Sequence, residues 1–553
     1  LGRWYRQDDN AVPAEHVLVP RTDEYVDYEA WGPVEVELRD ILRRCADAAG
    51  LKGKTRAKYF YSATHQEIIK GAQSMPEVTG NDVDPAEHVL ACFRTIDGMP
   101  RDTPHVYFDD RDEQLDKLKG AIQARLGESA PETENVYAYG ASWDEAAKDI
   151  RLSDEDDFAA VALAHFERVI TADLDSLAEV SAFEAELTAQ RLFRDDRCAH
   201  FVGRKKELNR IDAYLGGDSR QLLAVVGPGG SGKSSLMAEV TRRAEEGEGV
   251  VVYRFIGSTA GSTLLDGMLR GIAEELGEAL NESGSIPTIR DELLEHLEGL
   301  LGKATAQRPI TVILDALDQL TESDARRLDW LVDDLPEHAK IVVSLLPSLE
   351  PALSKEADRL TISAMTKSQG KTLLRAWLAQ AGRTLQPNQS QAILDAFSER
   401  GLPLYLRLAF EQARTWRSWQ DAQVVPTDVE GMIAGVLDQL EQDHTPQKGD
   451  VKAPFVQTAL GYLQASRHGL SEDELLDVLA QDDGFFEAYE QTTHHALSER
   501  RIPIAVWSRL YLDLAPYLVE REAQGAVVLG FFHRQIGEYI DQRYGLSDAK
   551  KHF

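Results

Sequence analysis

The run Gln221-Leu-Leu-Ala-Val-Val226 leads directly into Gly227-Pro-Gly-Gly-Ser-Gly-Lys233-Ser234, and a helical pattern follows from Lys233 to about residue 246. A continuous apolar run that ends in a glycine-rich turn and opens a helix has the context of a buried strand followed by a phosphate-binding loop. Glycines at 227, 229, 230 and 232 let backbone N–H groups turn inward around phosphate oxygens, and the helix start adds the positive end of its dipole. Ser231 and Ser235 belong to the same expected site, Lys233 is expected to reach the β- and γ-phosphates, and Ser234 to place its hydroxyl on Mg²⁺. The expected ligands are ATP or ADP with Mg²⁺. The bland alternative is a glycine-rich turn that only connects strand to helix.

A metal acid is expected where Ile310-Thr-Val-Ile-Leu-Asp315 puts a carboxylate at the C-terminal end of a second apolar strand, the edge at which open α/β sheets bind ligands. Asp315 would hold Mg²⁺ directly or through water. Asp318 either polarises the attacking water or caps the next helix. Ser344 ends the strand 340–345, where it senses the γ-phosphate or is satisfied by backbone. With Val250-Val-Val-Tyr-Arg-Phe-Ile256, these runs alternate with helical segments, the pattern of a parallel sheet covered on both faces.

At 553 residues the chain exceeds one ordinary core, and several units in series are expected. Residues 1–175 read as a separate α/β layer, with a helix at 36–49, strands at 88–93 and 105–108, and a helix at about 156–174. A charged helical linker, 176–200, precedes a nucleotide domain at 201–362. Residues 363–447 and 448–545 read as helical, with one late apolar run at 527–532, and 546–553 as the start of a further region. The missing Met and the abrupt end lead us to expect a piece of a longer polypeptide.

The formal charge of -33 disfavours a nucleic-acid partner, since its field repels phosphates over most of the surface. No apolar run approaches a bilayer span, and Cys45, Cys92 and Cys198 lack metal or disulfide-framework spacing, so no membrane role and a cytoplasmic setting are expected.

Phe201-Val-Gly-Arg204 resembles the entry motif of STAND ATPases, and Leu314-Asp-Ala-Leu-Asp-Gln-Leu320 resembles their NACHT branch, in which a small residue and then a second acid follow the metal-binding Asp. Phe255-Ile-Gly-Ser-Thr-Ala-Gly-Ser-Thr263, Gly401-Leu-Pro-Leu-Tyr-Leu406, Ile502-Pro-Ile-Ala-Val-Trp-Ser508 and Phe531-Phe-His-Arg-Gln535 extend the likeness from about residue 200 to the end. Together they are similar to the NACHT modules of telomerase-associated vault protein, nephrocystin and bacterial antiphage STAND proteins. The resemblance implies a P-loop NTPase sheet with a helical domain and a winged-helix domain. It implies backbone contacts to adenine from Val202, Gly203 and Arg204, and places Gly401 and Pro403 near the base. It implies an imidazole at His533 touching the β-phosphate of ADP. Gly401-Leu-Pro403 has a helix-start turn as its rival reading, and His533 a satisfied core histidine. Many relatives carry an Arg after the strand bearing Ser344, where this chain reads Ser344-Leu-Leu-Pro347, so hydrolysis is expected to be slow or to need a neighbour.

Trp4-Tyr-Arg-Gln-Asp-Asp-Asn-Ala-Val-Pro13, Tyr61-Ser-Ala-Thr-His-Gln-Glu67 and Glu87-His-Val-Leu-Ala-Cys-Phe93 resemble an incomplete TIR-like domain, in which Glu67 is either an effector acid or a structural helix residue. The combined resemblance implies an ADP-held signalling switch that exchanges for ATP and oligomerises with copies of itself. In the bacterial setting its trigger would be a protein of phage origin. The alternatives are a constitutive ATPase motor and a nucleotide-holding scaffold.

Overall fold

The structure is a computed structural model describing residues 1–69, 88–100, 112–129, 135–152, 158–176, 181–259, 261–282, 284–332, 334–421, 425–466, 469–493, 497, 500–523 and 526–545. Two compact units divide the chain. One comprises residues 1–5 and 18–180, the other residues 6–17 and 181–553. The expected linker, 176–200, therefore largely joins the second unit, and so does a short stretch near the N-terminus.

The paired strands β1 (Tyr5–Asp8) and β2 (Glu15–Leu18) form a hairpin whose residues 6–17 belong to the second unit. Burial accounts for that membership. Asp8 is wholly buried and accepts hydrogen bonds from Arg383 and Arg417 Nη1, both at 3.0 Å, and from Ser418 N at 2.9 Å. Asn10, also wholly buried, donates from Nδ2 to Gln389 Oε1 at 2.9 Å and to the Trp416 carbonyl at 3.1 Å, while its Oδ1 accepts from Gln386 Nε2 at 3.0 Å. A buried polar group needs partners, and these two find most of theirs hundreds of residues downstream.

In the first unit, the helix Tyr28–Ala48 starts at Asp27, whose carboxylate accepts from Glu29 N, and buries Trp31, Leu38 and Ala46. Trp4 packs edge-on to Trp31 and Tyr25. The strand expected at 88–93 begins later, as β3 (Ala91–Asp97), and pairs parallel with β4 (Val136–Asp144), on which β5 (Asp149–Leu152) lies antiparallel. The hairpin returns because Asp144 accepts the turn N–H groups of Ala146 and Ala147. The described sheet is thus mixed rather than parallel throughout. Leu118, Ile122 and Leu126, one stripe of the helix Asp112–Ser129, pack against Phe93 and Val136. A helix runs Phe158–Ser176, close to expectation, and the strand expected at 105–108 lies outside the described residues.

The second unit is built on a sheet that, among the described residues, has five parallel strands: β6 (Leu223–Val226), β7 (Val250–Phe255), β8 (Ile310–Asp315), β9 (Ala339–Leu345) and β10 (Asp358–Thr361). Their spatial order is β10-β6-β9-β8-β7. Alternate residues feed two cores. Ala224, Val226, Val312 and Val343 pack on one face, and Leu223, Val225, Ile313 and Val342 on the other. Because both faces are covered, the strands read as unbroken apolar runs. The edge strand β7 is sealed by the helix Ala182–Cys198, from which Gln190 Oε1 accepts Phe255 N at 2.7 Å. The opposite edge, β10, alternates in burial over only four residues, too short a signal to stand out in sequence.

Helices at Lys367–Gln380, Pro387–Ser398, Pro403–Ala413 and Val429–His444 follow, then the two-residue strands β11 (Gln447–Lys448) and β12 (Val451–Lys452). Four more helices, Phe455–Ala465, Glu472–Gln481, Asp483–Thr492 and Ile504–Leu514, lead to the antiparallel wing β13 (Leu518–Ala523) and β14 (Ala526–Phe531) and the helix Arg534–Tyr544. The late apolar run expected at 527–532 is therefore one strand, β14, of a hairpin whose other strand is β13. One apolar cluster runs from Met365 to Ile540, so the expected boundary at 447/448 is not a boundary between cores. Among the described residues no helix is long and apolar enough to cross a membrane.

Candidate nucleotide site

Parallel pairing brings the C-terminal ends of the strands together, with Val226 opposite Leu345 and Asp315 opposite Phe255. The chain leaves β6 through Gly227 and enters the helix Lys233–Glu245 at Gly232, the turn that sequence alone indicated. Gly230 has φ +73°, and a Cβ there would stand 2.7 Å from Leu404 Cβ. Lys233, 8% exposed, sits inside the loop and donates from Nζ to the carbonyls of Gly227 at 2.7 Å and Pro228 at 3.2 Å. Burial pushes its ammonium pKa down, while Asp318 and then Asp315 pull it up.

Asp315 is 2% exposed, and burial raises its pKa against hydrogen bonds from Ser234 and Ser344 and the charge of Lys233. Ser344, wholly buried, donates to Asp315 and accepts Ala316 N at 2.8 Å, so its hydroxyl orients the acid. The hydroxyl is thus satisfied by the Asp315 side chain and by one backbone amide, that of Ala316. Ala316 itself stands at φ +61°, a conformation that favours a small side chain. The contact between Ser234 and Asp315 supplies the oxygen pair that a Mg²⁺ ion would need, and the two fit that role.

Asp318 lies in the turn Leu317–Gln319, and the next helix, Glu322–Arg327, has Thr321 at its N-cap, so Asp318 does not cap it. Its Oδ1 is buried without a hydrogen-bond partner, and Arg534 Nη1 lies 3.8 Å from Oδ2. Burial raises its pKa, opposed first by Lys233.

On the expected adenine side, Arg204 is a left-handed N-cap at φ 59°, 5% exposed, donating to the Ser231 carbonyl at 2.6 Å and to the Ser363 carbonyl. Its side chain is committed to fixing the loop. Glu207 ties the same corner to Ser363 at 2.6 Å, a role that sequence reading missed. Val202 packs on the helical core, and a Cβ on Gly203 would meet Gln369 Nε2 at 2.8 Å. Pro403 starts the helix Pro403–Ala413, its Cγ 3.4 Å from where a Cβ on Gly232 would stand, and Leu404 N donates to the Gly230 carbonyl at 3.2 Å. Gly401 is a turn glycine at φ +61° whose Cβ would strike the Met365 carbonyl at 2.4 Å.

His533 caps the helix Arg534–Tyr544, its Nδ1 accepting Gln535 N at 3.2 Å. Nδ1 is therefore the acceptor and a proton on Nε2 makes the neutral ring. Burial, then the charges of Arg197 and Lys233, push its pKa down to about 4. Gln535, not singled out in the sequence, has Nε2 3.3 Å from where a Cβ on Gly229 would stand. Ser235 lies half-buried in the first turn of the loop's helix, and Ser231 Oγ is buried without a partner. Glu67 is exposed on the short helix Ala63–Ile68 of the first unit and lies apart from this site in sequence and unit.

Comparison with protein families matches residues 200–346 to the one described as AAA ATPase domain. This segment is an AAA-type ATPase domain. Its phosphate loop and Asp315 both fall inside the match. The chain is 26% identical over 593 residues to human "NACHT domain- and WD repeat-containing protein 1", covering 100% of this chain and 37% of that protein. It is 26% identical to human "NACHT and WD repeat domain-containing protein 2", covering 99% of this chain and 34% of that one. The chain thus spans just over a third of the length of these curated relatives, and the likeness includes the first unit as well as the AAA ATPase domain. A solved STAND protein with a tetratricopeptide repeat sensor from Pyrococcus horikoshii aligns at 15% identity over 62% of this chain and 42% of its own, with a TM-score of 0.35.

Proposed function

We propose that this chain is an ATP- and ADP-dependent signalling switch of the STAND type, in which the nucleotide governs whether the helical and winged-helix parts stay on the phosphate loop. One observation carries the reading. Three of the loop's glycines are touched from elsewhere in the second unit, Gly230 by Leu404, Gly232 by Pro403 and Gly229 by Gln535. A motor turning over continuously has no need for its phosphate loop to be clasped by both the helical and the winged-helix parts, whereas a switch held by ADP does. Exchange for ATP then releases the clasp and lets copies of the chain associate. Shifting such an equilibrium from one per cent open to nearly complete opening takes about 5.5 kcal/mol of differential binding.

Recognition of a protein trigger supplies part of that energy in this reading. WD repeats, which both mammalian relatives carry in their names, are the kind of array that would serve as sensor.

The test is nucleotide content and turnover of the purified chain. Tightly retained ADP and slow, trigger-dependent hydrolysis support the switch, and Lys233→Ala should lose both retention and signalling. Brisk multiple turnover without any trigger would reject it in favour of a motor.

A further inference from the structure

The first unit holds a cavity of about 330 Å³ that the nucleotide site does not use. The helix Tyr28–Ala48 supplies one wall, because positions 31, 35, 38, 39 and 42 fall on one helical face. Tyr5, which starts β1, and Leu18, which ends β2, belong to the first unit and supply a second wall. The third is the end of the helix Gly53–Phe60 and the turn after it, through Lys58, Tyr59 and Tyr61. That third wall is fixed in place. Arg43 Nε donates to the Tyr59 carbonyl at 3.0 Å, Arg56 Nε donates to Asp47 Oδ1 at 3.0 Å, and the Arg56 guanidinium stands 3.5 Å from the centre of the Phe60 ring.

Floor and walls differ in chemistry. Trp31 and Leu38, each 6% exposed, line the cavity with buried apolar surface, and Trp4, packed edge-on at 5.1 Å, holds the indole. Arg39, Arg43 and Lys58 line it as well, against a single carboxylate, that of Glu35. Glu35 Oε1 lies 4.0 Å from Arg39 Nη1, too far for a hydrogen bond, and Arg39 Nε is buried without a partner. Lys58 makes no hydrogen bond and no ion pair among the described residues.

In a chain of formal charge -33, a concave surface on which cations outnumber acids three to one runs against the composition. A guanidinium whose hydrogen bonds are unmade is costly until an acceptor reaches it. Carboxylate or phosphate oxygens are the acceptors that a guanidinium fork and an ammonium suit. Buried Trp31 and the rings of Tyr59 and Tyr61 suit a different partner, a flat apolar body. Tyr61 is already held flat, stacked on His65 with ring centroids 3.9 Å apart. The volume is at the lower end of the range for small-molecule sites, about 300–1,000 Å³, so the occupant is small.

We propose that this cavity binds a small organic anion, a carboxylate or phosphate group carried on a flat body of one or two rings, with Arg39 and Lys58 on the anionic group and Trp31, Tyr59 and Tyr61 around the rings. The site lies wholly within the first unit and does not depend on the nucleotide reading above.

Calorimetry on the full chain tests this with 2-naphthyl phosphate, 2-naphthoate, uncharged 2-naphthol and inorganic phosphate. The naphthyl anions should bind one-to-one and roughly tenfold or more tighter than either 2-naphthol or inorganic phosphate, and the tighter of the two names the anionic group. Arg39→Gln should weaken that anion by roughly tenfold or more, and Lys58→Gln by roughly threefold, since a charged hydrogen bond outweighs a single exposed charge. Arg39 is half-buried and Lys58 exposed, so the ligand-free thermal midpoints of both variants should match the wild type while the rise that the anion produces shrinks. Lys233→Ala, which disables the phosphate loop, should bind the anion as the wild type does. Binding that is lost in Lys233→Ala but kept in Arg39→Gln would put the anion at the phosphate loop and overturn the assignment. Equal affinity for 2-naphthol, or no uptake of either naphthyl anion by the wild type, would overturn it as well.

Discussion

Leu404 closes directly over Gly230, its Cβ 2.7 Å from where a side chain on that glycine would begin. The contact is backed by Leu404 N, which donates to the Gly230 carbonyl, so the helical part is fastened to the phosphate loop by main chain as well as side chain. Gly230→Ala should therefore both clash and strain, since the residue sits at φ +73°. The left-handed backbone and the overpacking together should cost about 2–4 kcal/mol. Thermal unfolding should show a lowered midpoint, and ADP should be released faster than from the wild type.

Ser344→Ala takes from Asp315 one of its two hydroxyl donors and leaves a buried carboxylate less well held. Hydrolysis should slow by roughly tenfold, the consequence of about 1.4 kcal/mol of lost positioning, while ADP affinity changes little. Steady-state turnover set beside calorimetric ADP binding checks the split. Equal losses in both would mean that Ser344 supports the loop as a whole.

Folded His533 holds its proton less tightly than an ordinary histidine, with a pKa of about 4 against a usual value of 6.5. Between those values the unfolded chain binds more protons than the folded one, so stability is fully present above about pH 6.5 and falls as the pH drops towards 4. His533→Asn can retain an acceptor at the helix cap but does not titrate. Thermal midpoints recorded from pH 7 to pH 4 should fall less steeply for the variant. Parallel slopes would show that other groups carry the acid sensitivity.

Asp8 should be costly to remove. Burial pushes its pKa up, yet the Ser418 amide, Arg417, the Asn10 amide and Arg383 together hold it down at about 2. A depressed carboxylate stabilises the fold above its unfolded pKa, near 4, and that contribution of about 2 kcal/mol is lost as the pH falls from about 4 towards 2. Asp8→Ala leaves Arg383 and Arg417 without their buried partner and should destabilise the second unit by about 3–5 kcal/mol at neutral pH. Hydrogen exchange should then quicken around residues 382–389 and 416–420. Unchanged protection there would show that the hairpin rides on the surface rather than holding it.

What could be read in advance follows from how local the physics is. The glycine turn after β6 and the position of Asp315 at the end of β8 were legible because glycines in series and an acid closing an apolar run are both local patterns. The contact between Ser344 and Asp315 depends on β9 lying beside β8, a strand order that no local pattern specifies. β13 went unseen because Leu518-Val-Glu-Arg-Glu-Ala523 carries three charges in succession and reads as surface chain until β14 is set beside it. Asp8 and Asn10 resembled part of the N-terminal layer because their partners lie between positions 383 and 418.

The hairpin around Asp8 also alters how the first unit is tethered. Since the chain departs from the second unit after Val17 and rejoins it at Ser181, residues 18–180 are a stretch anchored at both ends to one body. Tension on that stretch divides between a noncovalent clasp that can slip and a covalent entry into the helix Ala182–Cys198. Once the clasp lets go, the whole pull falls on that helix.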